Sequence, residues 1–274
     1  DNFKITGSGV AYSLVDNAGG RFAVDSLTGA VTVANSSLLN FESATSHNVT
    51  VRATDFGGQT YDEVMAVTLS DVDEFDVGAV TDSNATTNTV AENAANGTAV
   101  GVTATASDAD GSNNTITYTL DNNAGGRFSI GSSTGIVTVA NSTLLNFESA
   151  TSHSITVRAT SSDGSFSTQS FTINLSDVDE FDVGSVTDTN ASANTIAENT
   201  SNGTAVGITA SASDADGSNN TITYSLDDNA GGRFTIASGT GIVTVANSTL
   251  LNFESATSHN VTVRATSSDG SFST

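Results

Sequence analysis

The decapeptide LLNFESATSH stands unchanged at residues 38–47, 144–153 and 250–259. NAGGRF recurs at 17–22, 123–128 and 229–234, and TVANS at 32–36, 138–142 and 244–248. The interval is always 106 residues, so Phe22, Phe128 and Phe234 are equivalent positions, as are Glu42, Glu148 and Glu254. Solenoid units repeat every 20–50 residues or so, whereas an interval of this size is that of an independent domain. The chain should therefore fold as beads on a string, each bead with its own core. The copies span 1–76, 77–182 and 183–274. Only the middle one covers a full period: the first lacks its beginning and the third its last strand, as in a segment cut from a longer array.

Within a copy the apolar residues alternate. In SITVRAT (154–160), Ile155, Val157 and Ala159 share a face, and in SFTINLS (170–176) Phe171, Ile173 and Leu175 do the same. TITYTL (115–120) puts Ile116, Tyr118 and Leu120 together, with Thr on the other side. TAVGVTATA (98–106) alternates in the same way. RFSI and GIVTV flank a GSSTG turn and read as a hairpin. GAVTDSNATTNTVAEN (78–93) reads as a broken first strand. LLNFESATSH reads as a helical turn or a loop, anchored by Leu145 and Phe147, with Glu148 pointing out. Period two dominates and the helical period is nearly absent. Seven short strands in about 100 residues predict an all-β fold, a row of tandem Greek-key seven-stranded β-sandwiches.

Thirty acidic residues face seven basic ones, giving a formal net charge of -23. That balance excludes a nucleic-acid partner, which needs Lys and Arg to neutralise phosphates, and it suits divalent cations. No apolar run is long enough to span a membrane. The absence of cysteine removes disulfides and thiolate metal sites. No Ser-His-Asp set, Cys-His set or carboxylate pair in a recognisable cleft appears, so no enzyme is expected. The repeated histidine (His47, His153, His259) has no Cys or second His near it and reads as a surface residue at a strand start. Arg52, Arg158 and Arg264 read as partners in strand-edge salt bridges. The Asn-x-Ser/Thr triplets, at Asn48, Asn96 and Asn141 among others, are what a chain rich in Asn and Thr produces by chance.

The acids are not spread evenly. LSDVDEFDVG occurs at 69–78 and again at 175–184, at the boundaries between copies. In an extended chain alternate side chains share a face, so Asp71 and Asp73 project the same way, about 6–7 Å apart at their bases. SDAD repeats the pattern at Asp108 and Asp110 and at Asp214 and Asp216. Two carboxylates about 5 Å apart repel by about 3 kcal/mol at an effective dielectric of 20, and by less than about 1 kcal/mol in water. One solvated pair is tolerable; six or more converging on a junction call for a cation. Hard oxygen donors without His or Cys fit Ca²⁺ better than a transition metal.

The order of short motifs resembles that of cadherin domains of the bacterial kind over the whole middle copy. AEN (91–93, 197–199) resembles the early Glu motif of that family, and SDADGSNN (107–114, 213–220) its Asp-x-Asp motif. YTL, GGRFSI and STGIVTV resemble the signature of its middle strands, LNFES its Leu-Asp-x-Glu motif, VRAT the start of Val-x-Ala-x-Asp, and SDVDE its linker. The resemblance implies Ca²⁺ bound between consecutive domains. At the second junction the implied ligands are Glu92, Asn146 and Glu148, then Asp177, Asp179 and Glu180 of the linker, then Asp214 and Asp216, with a carbonyl of Asn219 or Asn220. At the first junction they are Asn40, Glu42, Asp71, Asp73, Glu74, Asp108 and Asp110. Glu198 and Glu254 hold the matching positions of the third copy.

The departures from the family pattern are specific. Asn40, Asn146 and Asn252 stand where the family has Asp, and Phe75 and Phe181 where its linker ends in Asn. The late Asp survives as Asp55; in the other copies Ser161 and Ser267 replace it, with Asp163 or Asp269 two residues on. Fewer than three full sites per junction are therefore expected. Asn2 and Lys4 replace the paired aspartates in the first copy, which should weaken or abolish the site above it. The resemblance implies an extracellular, cell-surface stalk, adhesin or fibre rigidified by calcium. The alternative is a recognition module that binds surface glycans or like domains. Near-identical copies would also suit a homo-polymeric assembly.

Overall fold

The computed structural model describes residues 9–274. The first copy contains β1 (Val10–Asp16), β2 (Phe22–Val24), β3 (Val31–Val33), β4 (Ser46–Asp55) and β5 (Thr60–Thr68). The middle copy contains β6 (Thr81–Asp82), β7 (Thr89–Ala91), β8 (Ala99–Thr105), β9 (Thr117–Asn122), β10 (Phe128–Ile130), β11 (Ile136–Val139), β12 (Ser152–Thr160) and β13 (Phe166–Ser176). The third contains β14 (Thr187–Asp188), β15 (Ala205–Ser211), β16 (Thr223–Asp228), β17 (Phe234–Ile236), β18 (Ile242–Val245), β19 (Thr262–Thr266) and β20 (Phe272–Ser273).

The middle copy is a sandwich of two four-stranded sheets, in the orders β10-β11-β8-β6 and β7-β13-β12-β9. Its first strand is broken, as the sequence suggests. β6 runs antiparallel to β8 in one sheet, and β7 then crosses to the other and runs parallel to β13. The alternation in the sequence sets the inward faces. Ile155, Val157 and Ala159 of β12 are fully buried and meet Ile173 and Leu175 of β13, Val100 and Val102 of β8 and Val137 and Val139 of β11. The intervening Thr and Arg residues face outward, so the core follows directly from the period of two.

β13 starts at Phe166, four residues earlier than the apolar pattern indicates, and pairs with β12 along its whole length from Thr160 opposite Phe166 to Ser152 opposite Asn174. Its first residues, FSTQ, are mostly polar on both faces, so only the ladder hydrogen bonds define them. The third copy repeats the arrangement as β14-β15-β18-β17 and β16-β19-β20. The first copy has sheets β1-β4-β5 and β2-β3. Asn2 and Lys4, and the weakened site expected of them, lie outside the described residues. Among the described residues no helix is long and apolar enough to cross a membrane.

Two local devices set the loops that matter later. Tyr118 and Tyr224 are turned inward, and each phenolic oxygen accepts the N–H that opens the SDAD loop, from Ala106 and Ala212, both at 3.0 Å. The LLNFESATSH segment follows a one-turn 3₁₀ helix at Ser142–Leu144, capped by Asn141, which accepts from the Thr143 N–H. Arg127 fixes that turn by donating through Nε to the Leu144 carbonyl at 2.9 Å and through Nη1 to the Ala124 carbonyl at 2.8 Å. Leu145 is buried and Phe147 half-buried, while Glu148 is exposed.

The histidines are not surface residues. Each is half-buried with its ring tilted against Phe22, Phe128 or Phe234, centroids 6.2–6.3 Å apart, and the Nε2 atoms of His47 and His153 are buried without a partner. The phenylalanine that brings them in lies on another strand, 25 residues away, which no local pattern indicates. The arginines form the expected strand-edge pairs: Arg52 with Asp62 at 2.7 Å, Arg158 with Asp121 at 2.7 Å and Arg264 with Asp227 at 2.8 Å.

Candidate metal sites at the two junctions

The second junction gathers carboxylates from both copies it joins. Glu92 follows β7, Glu148 lies beyond the 3₁₀ turn, and Asp177 and Glu180 follow β13; one oxygen of each lies within 4.8 Å of the others. Next to them Asp179 of the linker meets Asp216 and Asp269 of the third copy at the same spacing. The first junction repeats the plan, with Glu42, Asp71 and Glu74 in one group and Asp73, Asp110 and Asp163 in the other. No early Glu of the first copy is present to join the former.

Backbone donors aim these acids. Glu92 is buried; it accepts the Phe147 N–H at 2.5 Å and the Val178 N–H at 2.9 Å, so it ties the LNFES loop to the exit of β13. Asp216, 3% exposed, accepts from the Glu180 N–H at 3.1 Å and the Phe181 N–H at 3.2 Å. Asp110 does the same for Glu74 at 3.2 Å and Phe75 at 3.3 Å. Phe75 and Phe181 thus meet the cluster through their backbone N–H groups. Asp163 accepts from the Ser165 N–H at 2.6 Å and Asp269 from the Ser271 N–H at 2.7 Å. Ser161 and Ser267 are buried, and their hydroxyls donate to the carbonyls of Asn113 and Asn219, both at 2.9 Å.

What these contacts leave over decides the chemistry. Glu42 Oε1, Asp71 Oδ1, Asp108 Oδ2, Asp177 Oδ1 and Asp214 Oδ2 are buried oxygens with no hydrogen-bond partner. Buried polar atoms are ordinarily satisfied, and unpaired charged ones are costly. The linker carboxyls carry the strain of that crowding. Desolvation first, then the neighbouring Asp163 and Asp110, push the Asp73 carboxyl up; Asp179 is raised in the same way, by desolvation and then by Asp269 and Asp216. Glu74 and Glu180 are raised too, by desolvation and then by Glu42 and Glu92 respectively. Asp108 and Asp214 are lowered, chiefly by the adjoining Ser161 and Ser267 hydroxyls. All-oxygen donors, unpaired and crowded, fit a hard divalent cation.

Most of the residues expected from sequence meet here. Asn40 and Asn146 do so differently: their side-chain oxygens accept the N–H groups of Ser43 and Ser149, both at 2.6 Å, and so close the turns that carry Glu42 and Glu148. The Asn219 carbonyl is already bonded to Ser267, and Asn220 donates its amide to the Asp216 carbonyl at 2.6 Å. Glu198 accepts the Phe253 N–H at 2.7 Å, as Glu92 does that of Phe147; this sequence carries no linker acids to join Glu198 and Glu254. Asp163 and Asp269 are the additions. They reach the cluster from two residues beyond the family position, and the Asp-Gly pair after VRATSS is the only sign of them in the sequence.

Fold and site together define a class: tandem β-sandwiches whose junctions are lined by carboxylates from both neighbours. The cadherin domain model matches residues 86–176 and 193–274, and the chain belongs to the cadherin family. It is 35% identical over 152 residues, 55% of its length, to human protocadherin Fat 4, and 30% identical over 262 residues, 94% of its length, to the mouse protein. It spans only 3% and 5% of those two relatives. Among solved structures it superposes on mouse cadherin-23 EC22-24 with a TM-score of 0.72 and 27% identity, covering all of this chain and 86% of that one. The extracellular cadherin domains 1-5 of protocadherin gamma B2 match with a TM-score of 0.73 at 22% identity over 94% of this chain and 49% of that one.

Proposed function

We propose that this chain is a calcium-stiffened stretch of a cell-surface adhesion array, part of a large adhesin or fibre of the bacterial kind, with modules bounded near 76/77 and 182/183. The observation that carries this reading is the convergence of unpaired, buried carboxylate oxygens from two modules and their linker. At the second junction Glu92, Glu148, Asp177 and Glu180 would hold one site, and Asp179, Asp216 and Asp269, with Asp214 beside them, another. At the first, Glu42, Asp71 and Glu74 would hold one site, and Asp73, Asp110 and Asp163, with Asp108, another. Bound Ca²⁺ would supply the positive charge that these acids lack. The chain's own part is to bring the acids together: the backbone N–H groups of residues 147, 178, 180 and 181 aim Glu92 and Asp216 before any ion arrives. Rigid junctions suit an extended stalk, and the extracellular relatives support placement outside the cell.

Small-angle scattering during a chelator titration tests the reading. The expected result is a maximum dimension that falls as calcium is removed and returns when it is restored. A maximum dimension that is the same with and without calcium would overturn it. The glycan-binding alternative gains nothing from the tyrosines of the middle and third copies. Tyr118 is buried and Tyr224 half-buried, both with engaged hydroxyls, and Phe166 and Phe272 lie beneath the guanidinium groups of Arg158 and Arg264.

A further inference from the structure

Gly111 and Gly217 are glycines for an unusual reason. Most glycines of the chain sit at positive φ, where a side chain is disfavoured, but these two do not. Their constraint is space. A Cβ on Gly111 would lie 2.7 and 2.8 Å from ring carbons of Phe41, and one on Gly217 would lie 2.6 and 2.8 Å from those of Phe147. Each ring belongs to the module before the junction and each glycine to the module after it. The contact is reinforced next door. At the second junction the Gly217 N–H donates to Glu148 Oε1 at 3.1 Å, and at the first the Ser112 hydroxyl donates to Asp71. Phe253, at the same position of the third copy, has no such glycine to cover in this sequence and is 61% exposed, whereas Phe41 and Phe147 are half-buried.

We infer that Phe41 on Gly111, and Phe147 on Gly217, form a metal-independent clasp that limits the spacing and rotation open to adjacent modules. Apolar contact and van der Waals fit do not depend on an ion, so the clasp narrows the range of junction angles when calcium is absent without fixing a single one. Calcium then fixes one arrangement within that narrowed range. This inference goes beyond the calcium reading and stands without it.

The absence of native cysteine allows a direct test. Nitroxides on S129C and T235C, exposed positions of β10 and β17, report the distance between the middle and third modules by pulsed electron resonance of the full chain. In excess chelator the parent chain is expected to give a distance distribution broader than with calcium but narrower than that of the variants. G217A and F147A are expected to broaden it further, while F147Y leaves it as in the parent. Phe147 also packs on the middle core, so F147A carries a folding risk; G217A lies on an exposed turn and leaves that core alone. A parent distribution in chelator no narrower than that of G217A overturns the clasp. Neither outcome bears on calcium binding, which is read separately by titrating the same samples with calcium.

Discussion

At the scale of single residues, Asp216 does two jobs that are separable by substitution. Its carboxylate accepts two linker N–H groups and also faces Asp179 and Asp269. Asp216→Asn keeps the shape and an oxygen that can accept both linker N–H groups, but replaces the other oxygen with an NH2 group and removes the charge. The linker contacts therefore survive, whereas removing one charge from an all-oxygen site lowers calcium affinity by roughly tenfold or more. Calorimetric titration of the full chain should therefore lose the tighter binding at the second junction and retain that at the first. His153 behaves differently. Burial, and secondarily the charge of Arg127, hold its imidazole below the ordinary range, so the folded state disfavours the proton that the unfolded chain accepts. The unfolded state then binds more protons below about pH 6.5, and stability must fall as pH drops through that window. Urea midpoints at pH 7.5 and 5.5 should show the loss, and His153→Phe should shrink the difference. The sequence makes Asp216 visible through its motif and shows Asp163 and Asp269 as acids two residues past the family position; only the fold shows that the turn at Ser161 and Ser267 delivers those carboxylates to the same cluster.

At the scale of elements, the strands were legible because alternation is the cause of burial and not merely a correlate of it. The hairpin β10–β11 is the clearest case: Phe128 opposite Val139 and Ile130 opposite Val137 follow from the register across GSSTG. That register depends on Gly135, whose φ is +66° and whose missing side chain leaves room for the Ala104 backbone of β8. Gly135→Ala adds left-handed strain of about 1–2 kcal/mol to a clash with a main-chain carbonyl that cannot move without parting β11 from β8. Chemical denaturation of the full chain should show the middle module losing at least that amount, with the junctions' calcium binding unchanged while the module stays folded. What the pattern did not display was the polar start of β13 and the burial of the histidines. Both depend on partners supplied by another strand, and neither leaves a period in its own segment. The clasp of Phe147 on Gly217 is hidden for the same reason on a larger scale, since its two halves lie 70 residues apart and in different modules.

At the scale of the whole molecule, the middle copy has the larger core, because the residues that would match 169–176, the source of Ile173 and Leu175, are not in this sequence. Sixteen buried residues from Val77 to Leu175 form one cluster in the middle copy, against four, Val206, Phe234, Val243 and Val245, in the third. Hydrophobic burial is the main stabilising term, so in this 274-residue chain residues 183–274 are held less firmly than the middle copy. Without calcium, amide exchange should be slowest in β12 and β13, whose paired residues lie over the larger cluster, and fastest in β19 and β20. Calcium alters this ranking in a way that depends on which modules hold the ligands. A ligand present at 100 times its dissociation constant stabilises the folded state by about 2.7 kcal/mol, and a site built from two modules shares that gain between them. The second junction takes Glu92, Glu148, Asp177 and Glu180 from the middle copy and its exit but Asp216 and Asp269 from the third. Added calcium should therefore slow exchange in the SDAD loop and β19 of the third copy as well as in β13, and melting should become more nearly one transition. If each module kept its calcium to itself, protection would rise only beside its own acids, and the third copy would melt at its calcium-free temperature.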